Sequence, residues 1–291
     1  MAYKDYSSTV HCLLFPVYYL LFTIYYLLFT IYYLLLTIYY LLPMPQFLIN
    51  TGLPENSAEV FLSKEESRHL KVLRYKKKDK VKLFDLKGNR YEGEIKDFSQ
   101  GAAIVKVLGK LENPPKKVEI KIYLPFVEKG AFEFMLRHCT EAGADIFVPL
   151  EMEYSQKNFI PDVLERKERL GKIILSSVKQ CERPDIPFSA PADCFEKVLS
   201  LGENFVLLSR DGTEERSLKP AEVAAETGEK ISLLVGPEAG FSRKELALAR
   251  EKKAVFMDLG PYILRTQTAA VAACAVIRAL KWSDPPAGPL E

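Results

Sequence analysis

The chain has 291 residues, of which 48% are hydrophobic and 27% are charged, which is the composition of an ordinary globular protein with room for two domains. This composition excludes a fibrous or disordered chain. Because 40 basic residues oppose 38 acidic ones, the formal net charge is only +2, and the overall charge neither favours nor excludes a nucleic-acid partner.

The cysteines and histidines lack the spacing of a metal site. The five cysteines are odd in number and scattered without a C-x-x-C pair, and the three histidines lie far apart in the sequence. The sequence therefore predicts no metal ligands, no disulfide framework and a reducing, cytoplasmic location.

The first 43 residues contain an unusual apolar segment. Residues 12–42 carry no charged side chain, and such a run exceeds the roughly 20 residues that cross a bilayer. The run is nevertheless a near-perfect tandem repeat of the heptapeptide L-L-F-T-I-Y-Y, with tyrosines throughout instead of only at its ends. We interpret residues 1–43 as a low-complexity repeat outside the native fold and Met44 as the natural start, with no stable membrane association. A membrane anchor is the alternative interpretation.

Residues 44–114 are predicted to form a small β-barrel domain. The capping-box pattern from Ser63 to Glu66 indicates one early helix. Apolar residues alternate or cluster as in strands over residues 81–84, 91–95 and 103–107, with turn residues between them.

A basic cluster lies in this domain between residues 68 and 82, where Asp79 is the one acidic residue. Such a cluster can bind RNA phosphates without reading a sequence, although lysines at a strand edge also serve simply to prevent aggregation. The candidate RNA-binding residues are Arg68, Lys71, Arg74, Lys76, Lys77, Lys78 and Lys80.

Residues 115–291 are predicted to form an α/β domain with a parallel sheet, because strand-like and helix-like stretches alternate. Helices are predicted over residues 130–142 and 162–183. The predicted strands span residues 118–124, 146–150, 205–208, 231–235 and 255–259. Ligands of open parallel sheets bind at the carboxyl ends of the strands, where the loops 209–212, 236–241 and 260–266 are expected.

The loop 236–241 has features of a ligand-binding turn. Gly236 and Gly240 allow close approach of the backbone, Pro237 stiffens the turn and Glu238 adds a negative charge. A helix capped by Ser242, with Glu245 three residues later, is predicted to follow. A plain strand–turn–helix connection would give the same pattern.

The loop 260–266 ends in an arginine beside a predicted helix. Arg265 precedes a helix predicted over residues 268–275, for which Thr266 or Thr268 is the expected cap. A cation at a helix N-terminus favours an anion such as a phosphate, whereas a surface salt bridge is the alternative role.

The two loops together resemble the signature loops of the SPOUT superfamily of RNA methyltransferases. The matching segments are L-L-V-G-P-E-A-G-F-S-R-K-E over residues 233–245 and L-G-P-Y-I-L-R-T-Q-T-A over residues 259–269. The resemblance is greatest to the family that methylates N3 of a uridine in small-subunit (16S) ribosomal RNA, and it extends from Met44 to about Trp282.

This resemblance implies an α/β, SPOUT-type, trefoil-knotted parallel-sheet domain preceded by a small PUA-like β-barrel domain, and a homodimer with the active site at its interface. It implies S-adenosylmethionine (S-adenosyl-L-methionine) as the methyl donor and ribosomal RNA or the small ribosomal subunit as the substrate. The implied cofactor-binding residues are Leu208, Leu234, Val235, Gly236, Pro237, Glu238, Gly240, Leu259, Gly260, Ile263, Leu264 and Thr266. The resemblance also implies that Arg265 lies near the target nucleotide. From the chemistry of the reaction we expect Glu238 to be the catalytic base for the N3 proton and Arg265 to be the catalytic residue that stabilises the charged uracil oxygen.

Two residues depart from the family pattern. Ala239 stands where a second glycine is usual, and its methyl group requires a negative φ. Gln267 stands where glutamate is common, so that it lacks the charge of a general base. A noncatalytic dimeric RNA-binding protein and a SPOUT methyltransferase acting on another RNA are the alternative functions.

Overall fold

The structure, a computed structural model, describes residues 22–32, 45–49, 59–156, 158, 167–209 and 217–282. The chain divides into two compact units, Met1–Met44 and Pro45–Glu291. In the first unit a helix, α1, covers residues 22–32, and the rest of the predicted repeat lies outside the described residues. None of the helices described is long and apolar enough to cross a membrane.

The second unit begins with a β-sheet domain. Within the described ranges its five strands lie in the order β1-β3-β4-β5-β2. The strands are β1 (Gln46–Ile49), β2 (Glu59–Phe61), β3 (Lys80–Asp85), β4 (Arg90–Ser99) and β5 (Ala102–Leu111). β1 pairs with β3 in parallel, and the other neighbours pair antiparallel. The three strands predicted here are confirmed and are longer than expected.

One face of this sheet is buried. Alternate strand residues such as Phe47, Leu83 and Val105 are fully buried in a common core, as expected when one face of a sheet is covered. The helix α2 (Lys64–Val72) contributes Leu70 to that core.

The predicted capping box of α2 is only half formed. The Ser63 hydroxyl accepts a hydrogen bond from the N–H of Glu66 at 3.1 Å, as predicted. Among the described residues, however, no hydrogen bond returns from the Glu66 carboxylate to Ser63, and this half of the prediction is wrong. The carboxylate is buried and forms an ion pair with Lys179, because a buried charge needs a partner of opposite sign.

The remainder of the second unit is an α/β domain around a parallel sheet. In the described part of the chain, the strand order is β11-β13-β10-β12-β6-β7-β8, with β9 also paired to β7. The strands are β6 (Glu119–Pro125), β7 (Ile146–Glu151), β8 (Phe188–Ser189), β9 (Asp193–Cys194), β10 (Phe205–Leu208), β11 (Ser217–Leu218), β12 (Lys230–Val235) and β13 (Val255–Met257). The helices are α3 (Lys129–Glu141), α4 (Lys167–Cys181), α5 (Phe195–Leu199), α6 (Pro220–Glu226), α7 (Arg243–Glu251) and α8 (Thr266–Trp282).

Helices cover both faces of this sheet. Ile122 of β6 and Leu233 of β12 face a core shared with α3, α4 and α8, whereas Tyr123 and Leu234 face a second core shared with α5 and α7. Burial of both faces explains why these strands are continuous apolar runs in the sequence. The prediction of an α/β domain with a parallel sheet behind a small β domain is confirmed.

Some element boundaries differ from the prediction. α4 ends at Cys181, two residues early, since the next residue, Glu182, has φ +56°, which is outside the helical region. Its predicted start, residues 162–166, lies outside the described residues. β13 ends at Met257 instead of residue 259, because the chain turns at Asp258, whose Oδ1 accepts the N–H of Gly260 at 2.9 Å.

Candidate cofactor and active site

A cavity of about 550 Å³ opens at the carboxyl ends of β10 and β12. A second cavity of about 640 Å³ adjoins it, and both are lined by Leu208, Glu238 and Ile263. Volumes of this size are typical of sites for small molecules. The position agrees with the general rule that parallel sheets bind ligands beyond the carboxyl ends of their strands.

The structure brings most of the predicted site residues together. Many of the residues predicted to bind the cofactor or to be catalytic line the first cavity. In the described part of the chain they are Leu208, Val235, Gly236, Pro237, Glu238, Gly240, Ile263, Leu264, Arg265 and Thr266. Leu259 lines the second cavity. Of the other described candidates, Leu234 is buried in the core beside α7, and Gly260 forms the turn after Asp258 with φ +126°.

The loop 236–241 is a tight turn held by its glycines. The N–H of Gly240 donates to the carbonyl of Pro237 at 2.8 Å, and Gly240 has φ +75°, a conformation that favours glycine. At Gly236, a Cβ atom would lie 3.1 Å from the ring of Phe241, so that a side chain there would press on that buried ring. Ala239 is not among the described non-glycine residues with positive φ, and its methyl group is therefore tolerated.

The helix after this turn begins with the predicted capping box. The Ser242 hydroxyl accepts the N–H of Glu245 at 3.2 Å, and the Glu245 carboxylate accepts the N–H of Ser242 at 2.7 Å. The other carboxylate oxygen of Glu245 accepts the N–H of Glu153 at 2.9 Å. This buried carboxylate thus ties the end of the cavity loop to the segment after β7 and fixes the start of α7.

The loop 260–266 leads directly into α8, and the predicted cap of that helix is wrong. α8 begins at Thr266, and the carbonyl of Arg265 accepts the N–H of Ala269 at 2.8 Å. Arg265 therefore precedes the first turn, and Thr266 and Thr268 lie inside the helix. The exposed Arg265 side chain and the buried Thr266 both line the cavity at the positive end of the helix.

Glu128 is a residue of the first cavity that was not among those predicted from the sequence. Glu128 caps α3, and its carboxylate accepts the N–H groups of Gly130 at 3.0 Å and Ala131 at 3.4 Å. Since Glu128 follows the carboxyl end of β6, applying the strand-end rule to that loop as well would have identified it.

The charges around the first cavity favour a cationic ligand. Among the described lining residues, the charged side chains are those of Glu128, Glu238 and Arg265, and their formal sum is −1. Apolar side chains, including Leu208, Ile263 and Leu264, supply much of the remaining surface. The cavity can therefore hold a ligand that combines an apolar ring with positive charge.

The predicted RNA-binding residues form one exposed segment of the β-sheet domain. Arg68 and Lys71 lie on α2, and the others lie between α2 and the first residue of β3. Lys77 pairs with Asp97 at 3.7 Å and Lys80 pairs with Glu92 at 2.9 Å, and all four side chains are largely solvent-exposed. Such exposed pairs are weak and leave the lysines available to other anions.

Comparison with known proteins relates both domains to RNA methyltransferases. The family described as RNA methyltransferase domain matches residues 114–278, and the family described as RNA methyltransferase PUA domain matches residues 62–108. These matches confirm the prediction of a PUA-like domain followed by a methyltransferase domain.

Named relatives resemble this chain over most of its length and over most of their own. The ribosomal RNA small subunit methyltransferase E of Rickettsia conorii is 27% identical over 80% of this chain and 94% of its own. The protein of the same name from Synechocystis is 30% identical over 77% of this chain and 74% of its own. The crystal structure of such an enzyme from Neisseria gonorrhoeae, bound to S-adenosyl methionine, is 25% identical with a TM-score of 0.70, over 81% of this chain and 98% of that one.

Proposed function

This chain belongs to the RNA methyltransferase family, and on that premise we propose that it transfers a methyl group from S-adenosylmethionine to N3 of a specific uridine in 16S ribosomal RNA. The observation that carries the proposal is the cavity at the strand ends, which the loop 236–241 and the start of α8 line together. This is the pair of segments that resembles the signature loops of the SPOUT superfamily.

The chemistry of the cavity suits this cofactor. Leu208, Ile263 and Leu264 offer an apolar surface to an adenine ring, and the carboxylates of Glu128 and Glu238 complement positive charge. S-adenosylmethionine supplies a methyl group on a positively charged sulfur atom. Two negative side chains in one cavity thus favour the methyl donor over the product, whose sulfur atom carries no charge.

Methylation of uridine N3 requires removal of a proton, because N3 carries one and is a poor nucleophile while it is protonated. We assign this proton to the carboxylate of Glu238, which lies exposed at the tip of the turn in the cavity wall. As N3 loses its proton, negative charge develops on the uracil oxygens, and the Arg265 guanidinium stabilises that charge. N3 would gain the methyl group as the S–CH3 bond of S-adenosylmethionine breaks, its electron pair would stay on the sulfur as a neutral thioether, and Glu238 would hold the proton.

The β-sheet domain supplies affinity for RNA in this proposal. The basic cluster of residues 68–80 would neutralise phosphates along the RNA without selecting a base. Selection of the uridine then falls to the cavity. Since N3 lies on the pairing edge of the base, the target must be single-stranded or flipped out of a helix.

We also propose a homodimer. Tyr262 and Ile263 beside the cavity are 81% and 90% exposed, and Val276 and Leu280 of α8 are partly exposed as well. Exposed apolar side chains of this kind are typical of an interface between subunits. Sedimentation of the full chain would distinguish a dimer from a monomer.

We further propose a trefoil knot in residues 115–291, domain limits at 1–43, 44–114 and 115–291, and a cytoplasmic location. Packing of α8 against β6 and β12 in the centre of the sheet, although it follows β13, supports a threaded C-terminus. Fractionation of cells expressing the full chain, compared with a chain beginning at Met44, would test the location and the role of the first segment.

The decisive experiment combines the full chain with radiolabelled S-adenosylmethionine and small ribosomal subunits that lack the modification. Label at N3 of a single 16S uridine is the expected result, and subunits that already carry the methyl group are the control. Cofactor binding without transfer to the subunit would overturn the proposed reaction. Binding of RNA without binding of cofactor would favour the noncatalytic alternative.

A further inference from the structure

The β-sheet domain contacts the α/β domain through buried polar groups at the C-terminal end of α4. The side-chain amide of Gln46, fully buried on β1, donates to the carbonyl of Val178 at 3.1 Å and to that of Arg183 at 2.6 Å. Such directional bonds to carbonyls of a helix end leave little freedom of rotation between the two domains. β1 itself packs against α4.

Two ion pairs surround this contact. Glu66 of α2 pairs with Lys179, and their side chains are only 5% and 14% exposed. Lys82 of β3 pairs with Glu182 at 2.5 Å. The Glu66–Lys179 pair is buried, so that removing one partner would leave an uncompensated charge. The Lys82–Glu182 pair is partly exposed, at 34% and 19%, and adds a second contact of opposite charges between the same two domains.

Further groups of the β-sheet domain complete the contact. Arg90 of β4 donates to the carbonyl of Glu182 at 3.2 Å. Phe84 of β3 is fully buried, and it packs in the main core of the α/β domain. Residues from β1, α2, β3 and β4 thus converge on the short segment 178–183.

This segment is connected to α8 by a charged network. The Arg183 guanidinium donates to the carbonyl of Ala144 at 2.7 Å and to Oδ1 of Asp145 at 2.9 Å. The other oxygen of the buried Asp145 carboxylate accepts from Arg278 of α8 at 2.8 Å, and Arg278 also donates to the carbonyl of Val118 at 2.7 Å. The segment 178–183 thus contacts the β-sheet domain directly, and it is linked through Asp145 to Arg278 of α8, the helix whose first turn lines the cofactor cavity.

We infer that the segment 178–183 fixes the RNA-binding domain in one orientation relative to the cofactor cavity, and that Lys82 and Glu182 are positioning residues for the RNA substrate. This inference rests on the proposed function. Neither residue lines the cavity, so that both act on the RNA through the orientation of the domain. The consequence is a rigid spacing between the basic cluster and the reacting base, instead of a flexible tether.

The test is a charge exchange across the domain contact in the full chain. Glu182→Lys places two lysines together. Because it removes one coupled interaction, it should raise KM for the small subunit about tenfold. The kcat and the cofactor Kd should not change. Lys82→Glu should do the same, and the double variant should restore KM. A matched control is the exchange of Lys96 and Glu59, a 2.6 Å pair within the β-sheet domain, which should leave KM unchanged.

The double variant separates positioning from direct RNA contact. If Lys82 instead bound an RNA phosphate directly, Glu182→Lys would lower KM for the small subunit, and the double variant would not regain the KM of the unmodified chain. An unchanged KM in Glu182→Lys, with thermal unfolding showing a folded protein, overturns the inference.

A second measurement distinguishes failure of the inference from failure of the proposed function. Amide hydrogen exchange in residues 45–49 and 176–185 should be faster in each single variant and normal in the double variant, whether or not the chain methylates RNA. Unchanged exchange in the single variants would contradict the positioning role even in an inactive protein. Absence of methylation by the unmodified chain would instead contradict the proposed function alone.

Discussion

The cofactor cavity and the basic cluster of residues 68–80 are built in opposite ways. In the described part of the chain, four segments that are separated in the sequence line the cavity: the start of α3, the end of β10, the loop 236–241 and the residues around the start of α8. Turn geometry at Gly236 and Gly240 fixes the shape of the loop 236–241. The basic cluster is one continuous exposed segment whose side chains act by charge. A single substitution in the cavity should therefore have a large effect, whereas the cluster should respond to the sum of its charges.

The largest effect is expected for Arg265→Ala. If Arg265 stabilises charge on the uracil oxygen, its removal should lower kcat by about 100-fold, the usual cost of removing one such donor. The cofactor Kd should not change, because the apolar lining and both carboxylates remain. Single-turnover methylation and calorimetric titration with S-adenosylmethionine measure the two quantities.

Arg265→Lys is the matched control for that variant. Lysine keeps the charge but lacks the planar fork of donors, so that an intermediate rate is expected. A kcat of Arg265→Ala within twofold of the unmodified chain would mean that the cavity is no more sensitive to a single substitution than the cluster is.

A smaller effect is expected at the turn of the cavity. In Gly236→Ala the added methyl group would lie 3.1 Å from the Phe241 ring, and the turn must shift to relieve this contact. Overpacking of this kind should raise the cofactor Kd by about tenfold. Gly171→Ala on α4 is the control, since a Cβ there meets no atom of the described residues within 4 Å. Equal affinity in both variants would show that the turn does not shape the site.

In the basic cluster, the effects of removing single charges on RNA affinity should add up. Changing Lys76, Lys77 and Lys78 together to glutamine should reduce the slope of log affinity against log salt by about 2 for single-stranded RNA, or about 0.7 for each phosphate that is no longer neutralised. Fluorescence anisotropy at several salt concentrations measures this slope. Lys230→Gln, at the amino end of β12 and thus away from the cavity, should leave it unchanged. Complete disappearance of the slope when a single lysine is changed would contradict additive binding.

The smallest effect is expected at the edge of the sheet opposite the cavity. Burial raises the pKa of the Glu203 carboxyl, but hydrogen bonds from Lys121 and Ser232 lower it. Together these hydrogen bonds outweigh burial, so that the pKa lies below its ordinary value of 4.5. The unfolded chain therefore binds the proton more readily, and the stabilisation by Glu203 is complete above about pH 4.5 and is lost as the pH falls through the folded-state pKa.

Glu203→Gln tests this difference between the two edges. The variant should be less stable than the unmodified chain near neutral pH, and the difference should shrink in acid, as measured by urea unfolding at several pH values. Cofactor affinity near neutral pH should not change, because Glu203 precedes β10 at its amino end. A gap in stability that is constant with pH would contradict the assigned cause.

Local patterns predicted much of the fold and of the candidate site. Alternating or clustered apolar residues predicted β3, β4 and β5, and continuous apolar runs predicted β6, β7, β10, β12 and β13. Ser242 with Glu245 correctly indicated the start of α7. The two loops that resemble a known family contribute much of the lining of the cavity, whereas Glu128, which also lines it, lies outside them. The errors fell at element ends, as at Asp258 and Arg265, where a single hydrogen bond decides whether the helix or strand continues.

The sequence by itself determined the features that depend on neighbouring residues: strand periodicity, the glycine turn, the capping box of α7 and the continuous basic cluster. Only the tertiary structure decided which distant groups meet. It paired Glu66 with Lys179 and joined Asp145 to Arg183 and Arg278. The physical reason is that propensities and caps act within a few residues, whereas a buried charge must find its partner wherever packing of the sheets and helices brings one, and no local pattern records that choice.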